Sequence, residues 1–344
     1  MTDCGAGAGC GPGLVTSAPM AAGAGAVVVD AAGARMGGAA RYLDELRCYL
    51  ERSRRGDVTV IGAGRGVGPG WLLRREAGRG VLRARRRVAL NNVGFCGPGG
   101  ERWTLLGNAL HFLSAGEEAE LAPGLRARVR RQAAIVRLAA RRSDVLVVPS
   151  TAMAGRVTQA MPGLSSRVVV RPHPVSACPA PVPAAEPAIA CPVLFAPYKH
   201  MPQRLRELLA ALDACADPQV RVWVTAGHDE VPADLAACPR VDLLGRRGPG
   251  ESSALVGRAR AVYFPSGLES FGYPLAEARA SGRPVIARDT AQNREIAGPA
   301  LCGYSPGDPT SLELAVKTAL TAQVSPDPAP FDPDTYFDWL LGQP

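Results

Sequence analysis

The sequence predicts an α/β protein built from two doubly wound parallel-sheet domains, on three observations. Short Val-rich runs alternate with helix-patterned segments through both halves of the 344-residue chain. A stretch crowded with Pro and Ala, SACPAPVPAAEPAIACP (176–192), separates the two arrays. Charge divides at the same place: residues 26–172 hold 25 Arg against 11 acids, and residues 173–344 hold 14 Lys or Arg against 19 acids. The expected organisation is a flexible Gly/Ala tail over 1–25, a first domain over 26–172 and a linker or hinge over 173–192. A second domain over 193–325 and a C-terminal helix over 331–342 complete it.

In the first half, AVVVD (26–30), DVTVIG (57–62), RVALNNV (87–93), DVLVVPS (144–150) and RVVVR (167–171) read as buried parallel strands, being short, apolar and rich in β-branched residues. Between them, GGAARYLDELRCYLERS (37–53) brings residues 39, 43, 46 and 50 onto one helical face; LGNALHFL (106–113) and the Arg-rich stretch 123–142 also have helical spacing. Past the linker the alternation resumes with CPVLFAP as the first strand and RLRELLAALDAC as the first helix. QVRVWVTAG, RVDLLG, RAVYFPS and PVIAR follow as strands, and SALVGRA, PLAEARASG and SLELAVKTAL as helices. The last segment, FDPDTYFDWLLG (331–342), reads as a short aromatic-rich helix.

Composition excludes several classes. A hydrophobic content of 47% rules out disorder for the bulk of the chain. No uninterrupted apolar run reaches about 18 residues, so no spanning helix is expected. The first 26 residues lack the basic and apolar regions of a signal peptide, and the expected location is cytoplasmic, with peripheral attachment at the inner face of a membrane left open. The nine cysteines are odd in number, scattered and without a C-x-x-C, against both a disulfide framework and a zinc site. DVTVIGAGRGVGPG (57–70) imitates a dinucleotide fingerprint, but Val67 or Pro69 stands where the third glycine is needed and Gly68-Pro69-Gly70 does not open a regular helix.

The densest chemistry lies in FPSGLESFGYPLAEARASGRPVIA (264–287). A strand ends in Pro265-Ser266, a loop carries Glu269, Ser270, Phe271 and Gly272, and a helix opens at Tyr273-Pro274, where proline suits the first turn. Gly272 lets backbone N–H groups approach a ligand, and a helix N-terminus favours phosphate. This string resembles the donor-binding signature of glycosyltransferase family 4, the group 1 glycosyltransferases: P-S, then E-x(7)-E from Glu269 to Glu277 enclosing F-G-x-P-x-x-E-A, then a G-x-P-V-I strand. The resemblance extends over 193–322 and is weaker in the first half.

The resemblance implies the GT-B architecture: two facing Rossmann-like domains with a cleft between them. It also implies a nucleotide diphosphate sugar as co-substrate, retention of anomeric configuration and no metal, and the sequence offers no His/Cys cluster as a ligand set. Lys199 is implied on the diphosphate as a point charge, in a chain where only Lys199 and Lys317 are lysines among 39 cations. Glu269 would hold sugar hydroxyls beside a cation-like anomeric carbon, Ser270, Phe271 and Gly272 would line the donor site, and Glu277 would accept from the ribose. Both carboxylates are expected to face one crevice opposite Lys199. Arg204 is a second candidate on the phosphates, since Leu194 stands where relatives often carry Arg; Arg246 is a candidate beside the base. In the first half Gly37 and Gly38 would let amides approach the donor, Asn91-Asn92 could serve an acceptor, and His111 is a catalytic candidate near the reacting sugar, with His173 a further candidate histidine at the hinge.

The basic first half points to an anionic acceptor or a membrane surface. Nucleic acid is not expected, because the Arg-rich stretches 74–88 and 126–144 are not interleaved with aromatics. The alternative reading is a non-catalytic relative of the same fold, acting as a sugar-nucleotide-binding or partner subunit. Base, sugar, acceptor and oligomeric state are not assigned.

Overall fold

A computed structural model of the chain describes residues 26–176, 186–192, 195–215, 217 and 219–342; the tail, the middle of the linker and Leu194 lie outside the described residues. The first domain is a six-stranded parallel sheet of β1 (Val27–Asp30), β2 (Val58–Ile61), β3 (Arg86–Ala89), β4 (Glu101–Leu105), β5 (Val145–Val148) and β6 (Val168–Val170), in spatial order β2-β1-β3-β4-β5-β6. Its helices are α1 (Gly37–Ser53), α2 (Pro69–Glu76), α3 (Arg79–Arg83), α4 (Ala115–Ala119), α5 (Pro123–Ala140) and α6 (Thr151–Ala160).

The second domain is also six-stranded and parallel, with β7 (Glu186–Cys191), β8 (Arg221–Val224), β9 (Val241–Leu243), β10 (Ala259–Phe264), β11 (Val285–Arg288) and β12 (Leu301–Tyr304). Read from β9 the order is β9-β8-β7-β10-β11-β12, the doubly wound order in which the sheet reverses direction between its first and fourth strands. Its helices are α7 (Met201–Ala214), α8 (Ala233–Ala236), α9 (Pro249–Arg258), α10 (Tyr273–Ala280), α11 (Ala291–Ala297) and α12 (Pro309–Thr321), followed by α13 (Pro333–Leu341).

Three elements differ from the expectation. The first strand of the second domain is Glu186–Cys191, inside the expected linker, not CPVLFAP. Ala188, Ile189, Ala190 and Cys191 are almost fully buried between β8 and β10, so this short apolar run makes a central strand that its Pro- and Ala-rich surroundings disguise as linker. Strand β4 was not anticipated; Thr104 is its one β-branched residue, yet Trp103 and Leu105 enter the core on alternate positions. Residues 106–113 form a single 3₁₀ turn, Ala109–Phe112, because Asn108 caps it at Leu110 N and Ser114 opens α4 with a capping box immediately afterwards.

Alternation along the first sheet sorts its two faces. Val27, Val29, Val88, Trp103, Leu105 and Val147 pack under α1, and Val28, Ala89, Leu146 and Val148 point to the other side, under α3, α5 and α6. Helix α13 returns to the first domain: Tyr336, Phe337, Leu340 and Leu341 join the core formed by Tyr42, Leu43, Leu46 and Tyr49 of α1. Each such side chain contributes on the order of 2 kcal/mol by burial. Tyr49 Oη donates to Asp338 at 2.5 Å and Arg52 to Asp334 at 2.6 Å, fixing the helix in register. The domains also bond directly: Ser150 Oγ donates to Ser270 O at 2.9 Å, and Ser270 Oγ donates to Gly107 O at 2.8 Å.

Candidate active site in the interdomain cleft

The carboxyl ends of the two sheets face one another across a cavity of about 240 Å³, the position where open α/β sheets bind ligands. From the first domain come Gly37, Gly38, Asn92 and Gly107; from the second come Lys199, Glu269, Ser270, Phe271 and Gly272; His173 lies between. Gly37 has φ of 57°, a conformation that favours glycine, and a Cβ on Gly38 would stand 3.3 Å from the Tyr273 ring, so the second domain packs closely against the start of α1. Met36, the residue before α1, makes no side-chain cap, which leaves the first N–H groups of the helix for a ligand.

On the opposite wall, β10 ends at Phe264 and the loop climbs to Gly272, the N-cap of α10, at φ of 85°. A Cβ there would meet Leu275 Cδ1 at 2.9 Å and Phe264 at 3.0 Å, so the dihedral strains any other residue and the space around it is tight. The loop holds Glu269 with its Oε1 accepting from Lys199 Nζ at 2.6 Å and from Ser266 Oγ at 2.8 Å. Both bonds fall on Oε1, and Oε2 takes neither. Lys199 is carried on a 3₁₀ turn, Pro197–Lys199, directly before α7. The ammonium and carboxylate are therefore brought together across 70 residues of sequence, within the cavity.

Glu277 goes elsewhere. It lies on α10, buried, accepts from Ser253 Oγ at 2.7 Å and faces Arg41 of α1 with Nε at 3.2 Å. The expectation that both carboxylates share one crevice thus fails for Glu277: α1 docks on α9 and α10, and its Arg41 covers that carboxylate. Burial, opposed by Arg41, pushes the Glu277 carboxyl up. Arg41 also reaches Glu45 at 3.3 Å, and Glu45 accepts from Ser176 N at 3.0 Å, so one buried polar chain links the second domain, α1 and the start of the linker.

Three other candidates do not line the cavity. Arg204 turns along α7 to Glu207 at 2.9 Å, Arg246 pairs with Glu230 at 2.7 Å on the surface, and His111 is buried beside Asn108 behind the cleft wall. Burial, with Arg137 nearby, holds His111 down at about 4, so its imidazole is neutral at pH 7. His173 does line the cavity, packed against Tyr42, Phe271 and Tyr273 at centroid distances of 5.2, 5.1 and 5.9 Å, and burial holds it down at about 3. Sequence reasoning missed Gly107, Arg41 and Ser253. Gly107 had a signal in Leu-Gly-Asn, and the other two had none.

Two facing parallel-sheet domains with this cleft are the GT-B frame of glycosyltransferases. Residues 193–322, nearly the whole of the second domain, match the family model described as glycosyl transferases group 1. Among solved structures, the chain is similar to a sucrose-phosphate synthase from Thermosynechococcus elongatus (TM-score 0.60, 14% identity, covering 92% of this chain and 94% of that one). It is similar also to WaaG, a glycosyltransferase involved in lipopolysaccharide biosynthesis (0.60, 14%, 90% and 94%), and to Alr3699/HepE of Anabaena in complex with UDP (0.55, 17%, 92% and 95%). At these identities the likeness establishes the fold. No curated protein matches the chain by sequence.

Proposed function

We propose that the chain transfers a sugar from a nucleotide diphosphate sugar to an acceptor held by its first domain, with retention of configuration and without a metal. The observation that carries this reading is the Lys199–Glu269 pair, set at 2.6 Å in the cleft, with Glu269 the first residue of the E-x(7)-E string. Departure of a nucleoside diphosphate concentrates negative charge, and a fixed ammonium together with the N-terminal end of α10 stabilises that charge as it develops. Glu269, relieved of Lys199 by the incoming diphosphate, is placed to hold sugar hydroxyls and to favour positive charge at the anomeric carbon. On the retaining path the departing phosphate takes the acceptor's proton on the same face, so no separate base is called on. Glu277, bonded to Ser253 and covered by Arg41, takes no part in this donor site and serves the contact between the domains.

A second reading, a non-catalytic sugar-nucleotide-binding subunit, is favoured by one set of contacts: Glu277, Arg204 and Arg246 are each engaged by protein partners. A panel of UDP-, GDP- and ADP-linked sugars separates the two. Stabilisation by one donor in a thermal-shift assay with release of its nucleoside diphosphate supports transfer; stabilisation without release supports the binding subunit, and no stabilisation by any donor refutes both. UDP-linked sugars are the first donors to try, since the similar Anabaena protein was solved with UDP. Turnover in excess chelator is expected to match turnover without it, and abolition would refute metal independence.

A further inference from the structure

The first domain carries a surface that the cleft does not use. Nine large apolar side chains are exposed among the described residues, and eight of them belong to the first domain. Four, Leu73 at 74%, Leu82 at 44%, Ile135 at 53% and Leu138 at 65%, lie on α2, α3 and α5. Helices α3 and α5 cover the sheet face opposite α1 and α13, and α2 runs directly into α3. Helix α5 is divided lengthwise: Val129, Ala133, Val136 and Ala140 form its buried stripe, while Arg128, Arg131, Ile135, Leu138 and, just beyond its end, Arg142 follow one another at helical spacing on the exposed side. Helices α3 and α5 contain no acid, and Glu76 of α2 is turned inward to the backbone of Cys96 and Gly97.

We propose that this α2–α3–α5 face docks on an anionic lipid bilayer. Single aliphatic side chains ringed by guanidiniums are the pattern of a helix lying in a membrane interface, where the apolar groups enter the headgroup boundary and the cations meet lipid phosphates. Arg128, Arg131 and Arg142 form no salt bridge with any described residue, so their charge is available to such a surface. The stripe offers aliphatic side chains and no aromatic platform, which fits lipid better than a nucleic-acid strand. The face also runs to the cleft. Gly33 N donates to Arg65 O at 2.8 Å, joining the loop before α1 to the loop before α2, and exposed Met36 directly precedes Gly37 in the cavity wall. Docking on this face sets the first-domain lip of the cleft near the headgroups. Only that last consequence, a bilayer-borne acceptor, rests on the transfer reading.

The test is flotation of the full chain with vesicles of phosphatidylcholine alone and of seven parts phosphatidylcholine to three parts phosphatidylglycerol. Flotation is expected with the anionic vesicles only, and salt near about 0.5 M should release most of it. The triple variant Arg128→Gln/Arg131→Gln/Arg142→Gln and the double variant Ile135→Ser/Leu138→Ser should each lower partitioning by about tenfold or more. Leu314→Ser, an exposed leucine on the second domain, should leave it unchanged. Equal flotation on both vesicle types, none on either, or no response to the α5 variants overturns the proposal. So does a dimer in sedimentation velocity that Ile135→Ser/Leu138→Ser dissolves without any vesicle binding, or retention of RNA through the Arg stripe in place of vesicles. Donor-induced thermal shifts measured on the same variants keep the two readings apart: flotation without any donor response leaves the surface standing and removes the transfer account.

Discussion

Glu269 and Glu277 stand eight residues apart on one loop-and-helix unit, yet their surroundings have little in common. Glu269 opens on a cavity, is partly exposed, and pairs with a lysine of its own domain. Glu277 is sealed between the domains, bonded to Ser253 and covered by an arginine of the other domain. The difference teaches that a short string of residues can serve two physical purposes. Its first carboxylate is left where a ligand can reach it, and its second is spent on closing the two lobes.

The largest expected effect breaks the comparison on the Glu269 side. Glu269→Gln and Lys199→Ala should each lower transfer by about a hundredfold or more, the scale for removing a group that stabilises developing charge, with the melting temperature nearly unchanged. A variant that turns over at the wild-type rate removes that residue from the site. On the Glu277 side the effect should appear in stability. Arg41→Ala leaves a buried carboxylate without its cation and should cost about 3 kcal/mol in urea denaturation, and adding Glu277→Gln should restore part of it. An unchanged midpoint in Arg41→Ala would show that the carboxylate is not held by this pair.

Smaller effects sharpen the comparison through pH. His173, packed at the domain junction, is held down at about 3, whereas an unfolded histidine titrates near about 6.5. The unfolded chain therefore takes up a proton first, so this contribution is complete above about 6.5 and is lost as pH falls towards 3. His173→Phe should flatten the melting temperature profile across that window, and an unaltered slope would contradict a neutral buried imidazole. The smallest change serves as a surface reference. Arg156, with Ser114, holds the Glu117 carboxyl down at about 2, so the stability from this pair is present above the usual carboxylate range and is lost as pH falls towards 2. Glu117→Gln should cost about 1 kcal/mol at pH 7 by denaturation, and no cost would place the pair among the surface bridges that contribute nothing.

The second domain was largely legible because its motif and its Val-rich strands are local features. Strand β7 was misplaced because EPAIAC shares its Pro and Ala with the linker, and only pairing on both edges distinguishes it. Arg41 was invisible for a different reason. With Glu45 it reads as an ordinary i, i+4 pair on a solvated helix, and nothing in the chain announces that α1 will be pressed against α10. Arg204 and Arg246 show the converse: each stands near the expected phosphate or base by chain position, and each finds a closer carboxylate in Glu207 or Glu230.

The seating of α13 on the first domain has a consequence for how the protein is made. Tyr336, Phe337, Leu340 and Leu341 complete a core whose own strands leave the ribosome long before them. The amino-terminal lobe cannot reach its final packing during synthesis and waits, with Tyr42 and Leu46 uncovered, until the other lobe has been translated. A nascent chain stalled after Tyr304 should therefore be far more readily cut by protease in its first lobe than the released protein.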